Sequence, residues 1–376
     1  MLPDYQFNML SRNELRFLLA LQQTPNLGDI SIKKLLNKVG SAEGIFDENK
    51  KNLARIEGIG AFKLKDFNPK LQLSAAEEEL EFIETEKINC VYYKEPDYPH
   101  RLNHCQDAPI LLFSKGKIRL RNKRIISIVG TRHPTLQGKE TCENLISELA
   151  PLDPVIVSGF AYGIDITSHR AAVANNLQTV ACLAHGLDQI YPKSHARFVG
   201  KLLAHGGLLT EFWSSDPFDR KNFIKRNRII AGLSEATIVI ESGEKGGSLV
   251  TADIANSYNR DVFAVPGRIT DSQSAGCNYL IKSQQANLLE SAADLIYMLG
   301  WDLEKVKRES RQTQLFPDLT AEEAIVVEFL KTRDRELLDT IALGCSLPVF
   351  KVATILLELE LKGVVRPLPG KLFQLT

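Results

Sequence analysis

No Cys-x-x-Cys pair occurs in this chain of 376 residues, whose six cysteines stand far apart at Cys90, Cys105, Cys142, Cys182, Cys277 and Cys345. That spacing excludes a zinc ribbon and a thioredoxin-type dithiol, and it fits small buried apolar side chains in a reducing compartment. His100, His104 and Cys105 come nearest to a ligand cluster, but they lie in a Pro-rich loop with no second half to complete a metal site. Neither a metal nor a cofactor is expected. No stretch reaches the ~18 apolar residues of a membrane span, and no basic segment followed by an apolar run opens the chain. The expected compartment is the cytoplasm, with no membrane partner. A surplus of charge is missing too, since 46 Lys+Arg stand against 46 Asp+Glu. Summed over the whole chain, that balance argues against nucleic acid, whose binders usually carry a basic excess.

A hydrophobic content of 44% and the length together predict two or three globular domains. Residues 1–70 read as short helices punctuated by glycine, with apolar residues at three- and four-residue spacing. Within them Ile56-Glu57-Gly58-Ile59-Gly60 resembles the hairpin of a helix-hairpin-helix module, whose turn offers N–H groups to a phosphate. A plain helical bundle fits those residues as well. Residues 71–300 alternate strand-length apolar runs with amphipathic segments. The runs are Arg124–Val129, Val155–Val157, Thr179–Leu183, Gly207–Thr210, Thr237–Ile240 and Val262–Val265. Strands buried on both faces and separated by helices predict an α/β fold with a doubly wound, mostly parallel sheet. Residues 301–319 read as a polar linker. Residues 320–376 give three helices and two short strands, the outline of a winged helix. Its third helix, Val349–Lys362, carries few cations or amides, which favours protein contact or capping over groove reading.

In such a sheet ligands gather beyond the carboxyl ends of the strands. Three post-strand loops there are rich in glycine. They carry Gly130-Thr131-Arg132, then Ser158-Gly159 with Gly163, then Lys245-Gly246-Gly247-Ser248 with Thr251. Exposed N–H groups and the helix dipole make loops of this kind anion sites. Neither G-x-G-x-x-G nor the P-loop pattern is present, so no dinucleotide or nucleoside triphosphate is indicated. The basic segment Arg220-Lys221-Asn222-Phe223-Ile224-Lys225-Arg226-Asn227-Arg228 suits a phosphodiester backbone, with Phe223 placed to stack on a base. Asn227 and Arg228 directly precede apolar Ile229-Ile230-Ala231, which leaves a structural role open at that end. Charge is also segregated: residues 115–140 hold eight cations and one acid, residues 72–98 eight acids and two lysines. The expected cause is cations gathered where the glycine loops open.

Several motifs are similar to those of the DNA-processing protein A (DprA/Smf) family. They are Val129-Gly130-Thr131-Arg132, Ser158-Gly159 with Gly163-Ile164-Asp165, Gly186-Leu187-Asp188 with Tyr191-Pro192, and Arg226-Asn227-Arg228-Ile229-Ile230-Ala231-Gly232-Leu233-Ser234. Gly247-Ser248-Leu249-Val250-Thr251-Ala252, Phe263-Ala264-Val265-Pro266-Gly267 and Gly276-Cys277-Asn278 follow in family order. The resemblance spans about 124–282. It implies a Rossmann-like domain that binds and protects incoming single-stranded DNA, forms a homodimer, and loads the RecA recombinase during natural transformation. It also implies a small N-terminal helix-hairpin-helix or SAM-like domain and a C-terminal winged helix. The implied DNA contacts are Gly130, Thr131 and Arg132, then Arg220, Lys221 and Phe223, then Gly246, Gly247 and Ser248. The chain departs from the family at Ile224, where proline is frequent, at Ala184 or His185, where glycine is common, and at His195, often Asn. Ser283-Gln284-Gln285-Ala286 also replaces the usual acidic-Gly-Ala ending.

Asp165, His169, Asp188, His195, Glu211, Glu241 and Asp253 fall on or near the same loops, so an acid–base pair must be weighed. A Rossmann-like phosphoribohydrolase is the enzyme alternative. That family places a proline before its Gly-Gly turn, and Lys245-Gly246-Gly247-Ser248-Leu249 fits it poorly. No catalytic residue is expected.

Overall fold

A computed structural model describes residues 10–301, 319–331, 333, 335–368 and 372–375. The chain divides into two units, residues 1–301 and 302–376.

The apolar runs of the first unit become the interior of one nine-stranded sheet. Its strands are β1 (Asn89–Tyr92), β2 (Leu111–Gly116), β3 (Ile125–Val129), β4 (Val155–Ser158), β5 (Thr179–Cys182), β6 (Gly206–Thr210), β7 (Ala236–Val239), β8 (Asp261–Ala264) and β9 (Asn287–Leu288). They lie in the order β1-β2-β6-β5-β4-β3-β7-β8-β9. Every pairing from β6 through β9 is parallel, whereas β1–β2 and β2–β6 are antiparallel. β3, β4, β5, β6 and β7 are buried along their whole length, as strands covered by helices on both faces must be. The expected doubly wound α/β fold is present. The strand order reverses at β3, with β4 on one side and β7 on the other.

The N-terminal helices do not form a separate body. Arg12–Gln22, Asp29–Val39 and Ala42–Asp47 share a core with Phe113 of β2 and with Trp213 after β6. The Trp213 indole donates to Gln22 Oε1 at 2.9 Å. The expected boundary at residue 70 falls inside the helix Pro69–Thr85. That helix packs on Arg12–Gln22, where Arg12 pairs with Glu77 at 2.6 Å and with Glu84 at 2.8 Å. In the candidate hairpin Ile59 is buried, and Gly58 and Gly60 take φ of 79° and 58°.

In the second unit Ala321–Lys331, Leu338–Gly344 and Val349–Leu361 pack around Val326, Leu330, Ile341, Leu356 and Leu359. Strands β10 (Glu336–Leu337), β11 (Val365–Leu368) and β12 (Leu372–Leu375) form a small antiparallel sheet in the order β10-β12-β11. Glu336 therefore belongs to a strand, because it pairs with Phe373, and the second helix starts at Leu338. On the third helix Lys351 is held by Glu322 at 2.5 Å, and just past its end Lys362 is held by Glu323 at 2.6 Å. The wing turn at 369–371 and most of the expected linker lie outside the described residues. Among the described residues no single helix is long and apolar enough to cross a membrane.

Candidate nucleic-acid interface

The reversal of strand order at β3 brings the three glycine-rich loops together beyond the carboxyl ends of β3, β4 and β7, where open α/β sheets form their ligand crevice. Backbone hydrogen bonds lock them together. Thr131 N donates to Glu241 O at 2.8 Å, and Ile164 N donates to Thr131 O at 3.2 Å. Gly163 must be glycine: its φ is +80°, and a Cβ there would stand 2.2 Å from Thr131 O. At Gly246 a Cβ would lie 2.1 Å from Ser242 Oγ, so a larger residue there would displace that hydroxyl from its bond with Ser248. The buried Glu241 carboxylate accepts from Thr135 N at 2.9 Å, and Thr135 Oγ1 accepts from Gly138 N to cap the helix Leu136–Leu149. The segment carrying Arg132 is thus pinned on either side, at Thr131 and at Thr135.

Two helices open from these loops without a side-chain cap: Ile164–Ala174 after Gly163, and Gly247–Ser257 after Gly246. The positive ends of their dipoles and their first-turn N–H groups suit an anion. Arg132 is exposed beside them, with its guanidinium 5.5 Å from the centre of the Phe223 ring. Phe223 is half-buried on the first turn of the helix Lys221–Leu233. Arg220, Lys221, Lys245 and Gly247 are exposed, and Gly130, Thr131 and Asn227 are half-buried. Lys225 is exposed too, and its ammonium reaches Glu211 at 3.0 Å.

Other members of the expected set turn inward, and two of them need correction. Arg226 is 4% exposed and donates through Nη1 to Cys182 O at the end of β5. Burial pulls its guanidinium below the ordinary value, with Asp165 opposing. Arg228 is 7% exposed, bound to Glu211 at 2.5 Å, to Asp29 at 3.2 Å and to the Asp107 carbonyl. Burial pulls it down, but Glu211 and Asp29 outweigh that and hold it above the usual arginine value. Both are internal struts, because their donors are consumed by buried acceptors. Ser158 donates to Ile128 O at 2.6 Å and Ser248 to Ser242 Oγ at 2.9 Å, and both are buried, as are Gly159 and Thr251.

The basic stretch 115–140 also divides. Lys115 pairs with Glu86 and Lys123 with Asp153, and Arg124 donates to Leu152 O. All three sit at the end of the sheet where β6 and β3 begin, opposite the glycine loops. Only Arg132 and Lys139 of that stretch follow β3, so the gathering of cations at the loops is smaller than the charge count implies.

Most of the titratable residues near the loops are spent on structure. His169 bridges Gly159 O at 2.5 Å and Thr179 Oγ1 at 2.7 Å, and burial pulls it down to about 4. His195 meets Phe160 O at 3.0 Å, and burial lowers it too. Burial raises Asp165, against the pull of Arg226. Asp188 and Asp253 are exposed. Among the described residues no group of three His, Cys, Asp or Glu could hold a metal, and His100 and His104 simply meet each other at 3.2 Å. The structure adds Tyr191 and Phe218 to Phe223, with Tyr191 and Phe218 ring centres 4.7 Å apart. Tyr191 was legible only as part of Gly-Leu-Asp with Tyr-Pro, and Phe218 carried no periodic signal.

An open α/β sheet with glycine turns at its switch point, cations beside them and a winged helix downstream defines a Rossmann-like α/β protein whose loops suit an anion. The family described as DNA recombination-mediator protein A matches residues 89–300, and the DprA winged helix domain matches residues 310–371. The chain belongs to this DprA/Smf family. The putative DNA processing protein DprA of Mycobacterium tuberculosis is 36% identical over 72% of this chain and 70% of its own length. Protein Smf of Escherichia coli is 36% identical over 73% of this chain and 74% of its own. The X-ray structure of DprA from Streptococcus pneumoniae, 33% identical, superposes with a TM-score of 0.64 over 77% of this chain and 98% of that one. A Helicobacter pylori DprA structure described for its single-stranded DNA binding mode is 28% identical, with a TM-score of 0.51 over 57% of this chain and 95% of that one.

Proposed function

We propose that this chain binds single-stranded DNA at the crevice above β3, β4 and β7 and acts as a recombination mediator. It would protect incoming DNA and pass it to the RecA recombinase during natural transformation, working as a homodimer in the cytoplasm. The observation that carries the reading is Arg132, exposed on a segment pinned on either side and lying over Phe223, beside two uncapped helix N-termini. Backbone amides and a cation for phosphates, next to a ring for a base, are the parts a single strand needs. A duplex keeps its bases stacked and leaves the ring idle. The Helicobacter pylori relative supports the same polymer. Binding without catalysis is favoured because His169, His195, Glu211 and Glu241 hold backbone or buried cations.

Competition between a labelled oligothymidylate and an unlabelled duplex at graded salt tests this. The single strand should win, with log K falling against log salt by about 0.7 for each phosphate contacted. Equal affinity for both polymers would overturn the proposal.

A further inference from the structure

Three aromatic rings from three different segments meet beside Arg132. Tyr191 comes from the loop after β5, Phe218 from the loop after β6, and Phe223 from the helix that follows. Tyr191 and Phe218 centroids are 4.7 Å apart, Phe218 and Phe223 5.6 Å, and Tyr191 and Phe223 5.8 Å. Such a cluster ordinarily goes inside, because each ring offers a large apolar area. Here Tyr191 is 39% exposed and Phe218 44%.

The exposure is built in. Tyr191 N donates to His185 Nε2 at 3.3 Å, and the other nitrogen of that ring bonds Gly186 O at 2.8 Å. The loop of Phe218 is tied by Asp216, which accepts from Trp213 N and from Gln23 Nε2, both at 2.9 Å. Asp219, the acid next to Phe218, is engaged by Lys221 N at 2.9 Å. Arg220 and Lys221 follow at once and are exposed, so the rings are edged by cations on this side as well as at Arg132.

We propose that Tyr191 and Phe218 extend Phe223 into a stacking platform for successive unpaired bases of the strand whose phosphates Arg132, Arg220 and Lys221 neutralise. The inference rests on the single-strand reading above. Stacking uses the face that every base possesses, so the platform tolerates any sequence, and it gives the protein a grip that phosphates alone do not provide.

The test compares an oligothymidylate with an abasic strand of the same length, using the full chain. Wild type should prefer the thymidylate by about tenfold or more. Tyr191→Leu and Phe218→Leu keep an apolar side chain against Phe223 but remove a ring, and each should cost about tenfold on the thymidylate and nothing on the abasic strand. Tyr191→Phe and Phe218→Tyr should retain the full preference, which excludes loss of fold as the cause. Leucine variants that keep the preference, or that lose both strands equally, would overturn the platform while leaving the single-strand reading intact. A wild type that binds neither strand would overturn that reading itself.

Discussion

Replacing Arg132 with alanine is expected to weaken binding of an oligothymidylate about 10- to 100-fold at moderate salt, with no change in the unfolding midpoint. The magnitude is that of one charge-assisted contact to phosphate, about 1.5–3 kcal/mol. Stability is spared because the side chain is exposed and makes no ion pair among the described residues. The segment is held instead by the Thr131 amide on Glu241 O and by Thr135 on the Glu241 carboxylate. The salt slope should fall by about 0.7, one counterion's worth. An unchanged dissociation constant would remove Arg132 from the site.

Arg228→Ala should do the reverse. It takes the nearer cation from the buried Glu211, takes the same partner from the half-buried Asp29, and removes a donor from the Asp107 carbonyl. Glu211 Oε1 has no hydrogen bond, and the one cation left to this carboxylate is Lys225, 3.0 Å from Oε2 and half in solvent. Breaking a buried pair from one side costs about 3–5 kcal/mol. Urea unfolding followed by the fluorescence of Trp213 and Trp301, both in the first unit, reads that loss directly. Oligothymidylate affinity of the folded variant should stay within about twofold of wild type, since a contact loss is worth more than that. A stable variant that no longer binds would return Arg228 to the surface set.

The two arginines show what a one-dimensional charge run conceals. Residues 219–228 announce cations but not their burial: the helix Lys221–Leu233 runs into the core beyond its first turn, so Arg226 and every residue from Arg228 to Leu233 are buried, while Arg220 and Lys221 at its N-terminal end stay out. The apolar Ile229-Ile230-Ala231 was the available signal for the inward turn. The parallel strands were legible because burial on both faces makes them continuous apolar runs. β1 escaped because it is an edge strand of four residues that ends in one buried tyrosine. Trp213 and Phe113 draw the N-terminal helices onto the sheet through contacts distant in sequence, so composition suggested a boundary that packing erases. The glycine loops were found because strand–turn–helix spacing marks them. The aromatic platform was not, because its rings meet only after β5, β6 and the next helix are assembled.

The most direct measurement is a structure of the full chain with a short oligothymidylate bound. Phosphates are expected against Gly130–Arg132 and the Gly246–Ser248 turn, with a base on Phe223. A strand seated on the winged helix or on the Gly58–Gly60 turn, with the crevice above β3 empty, would contradict it.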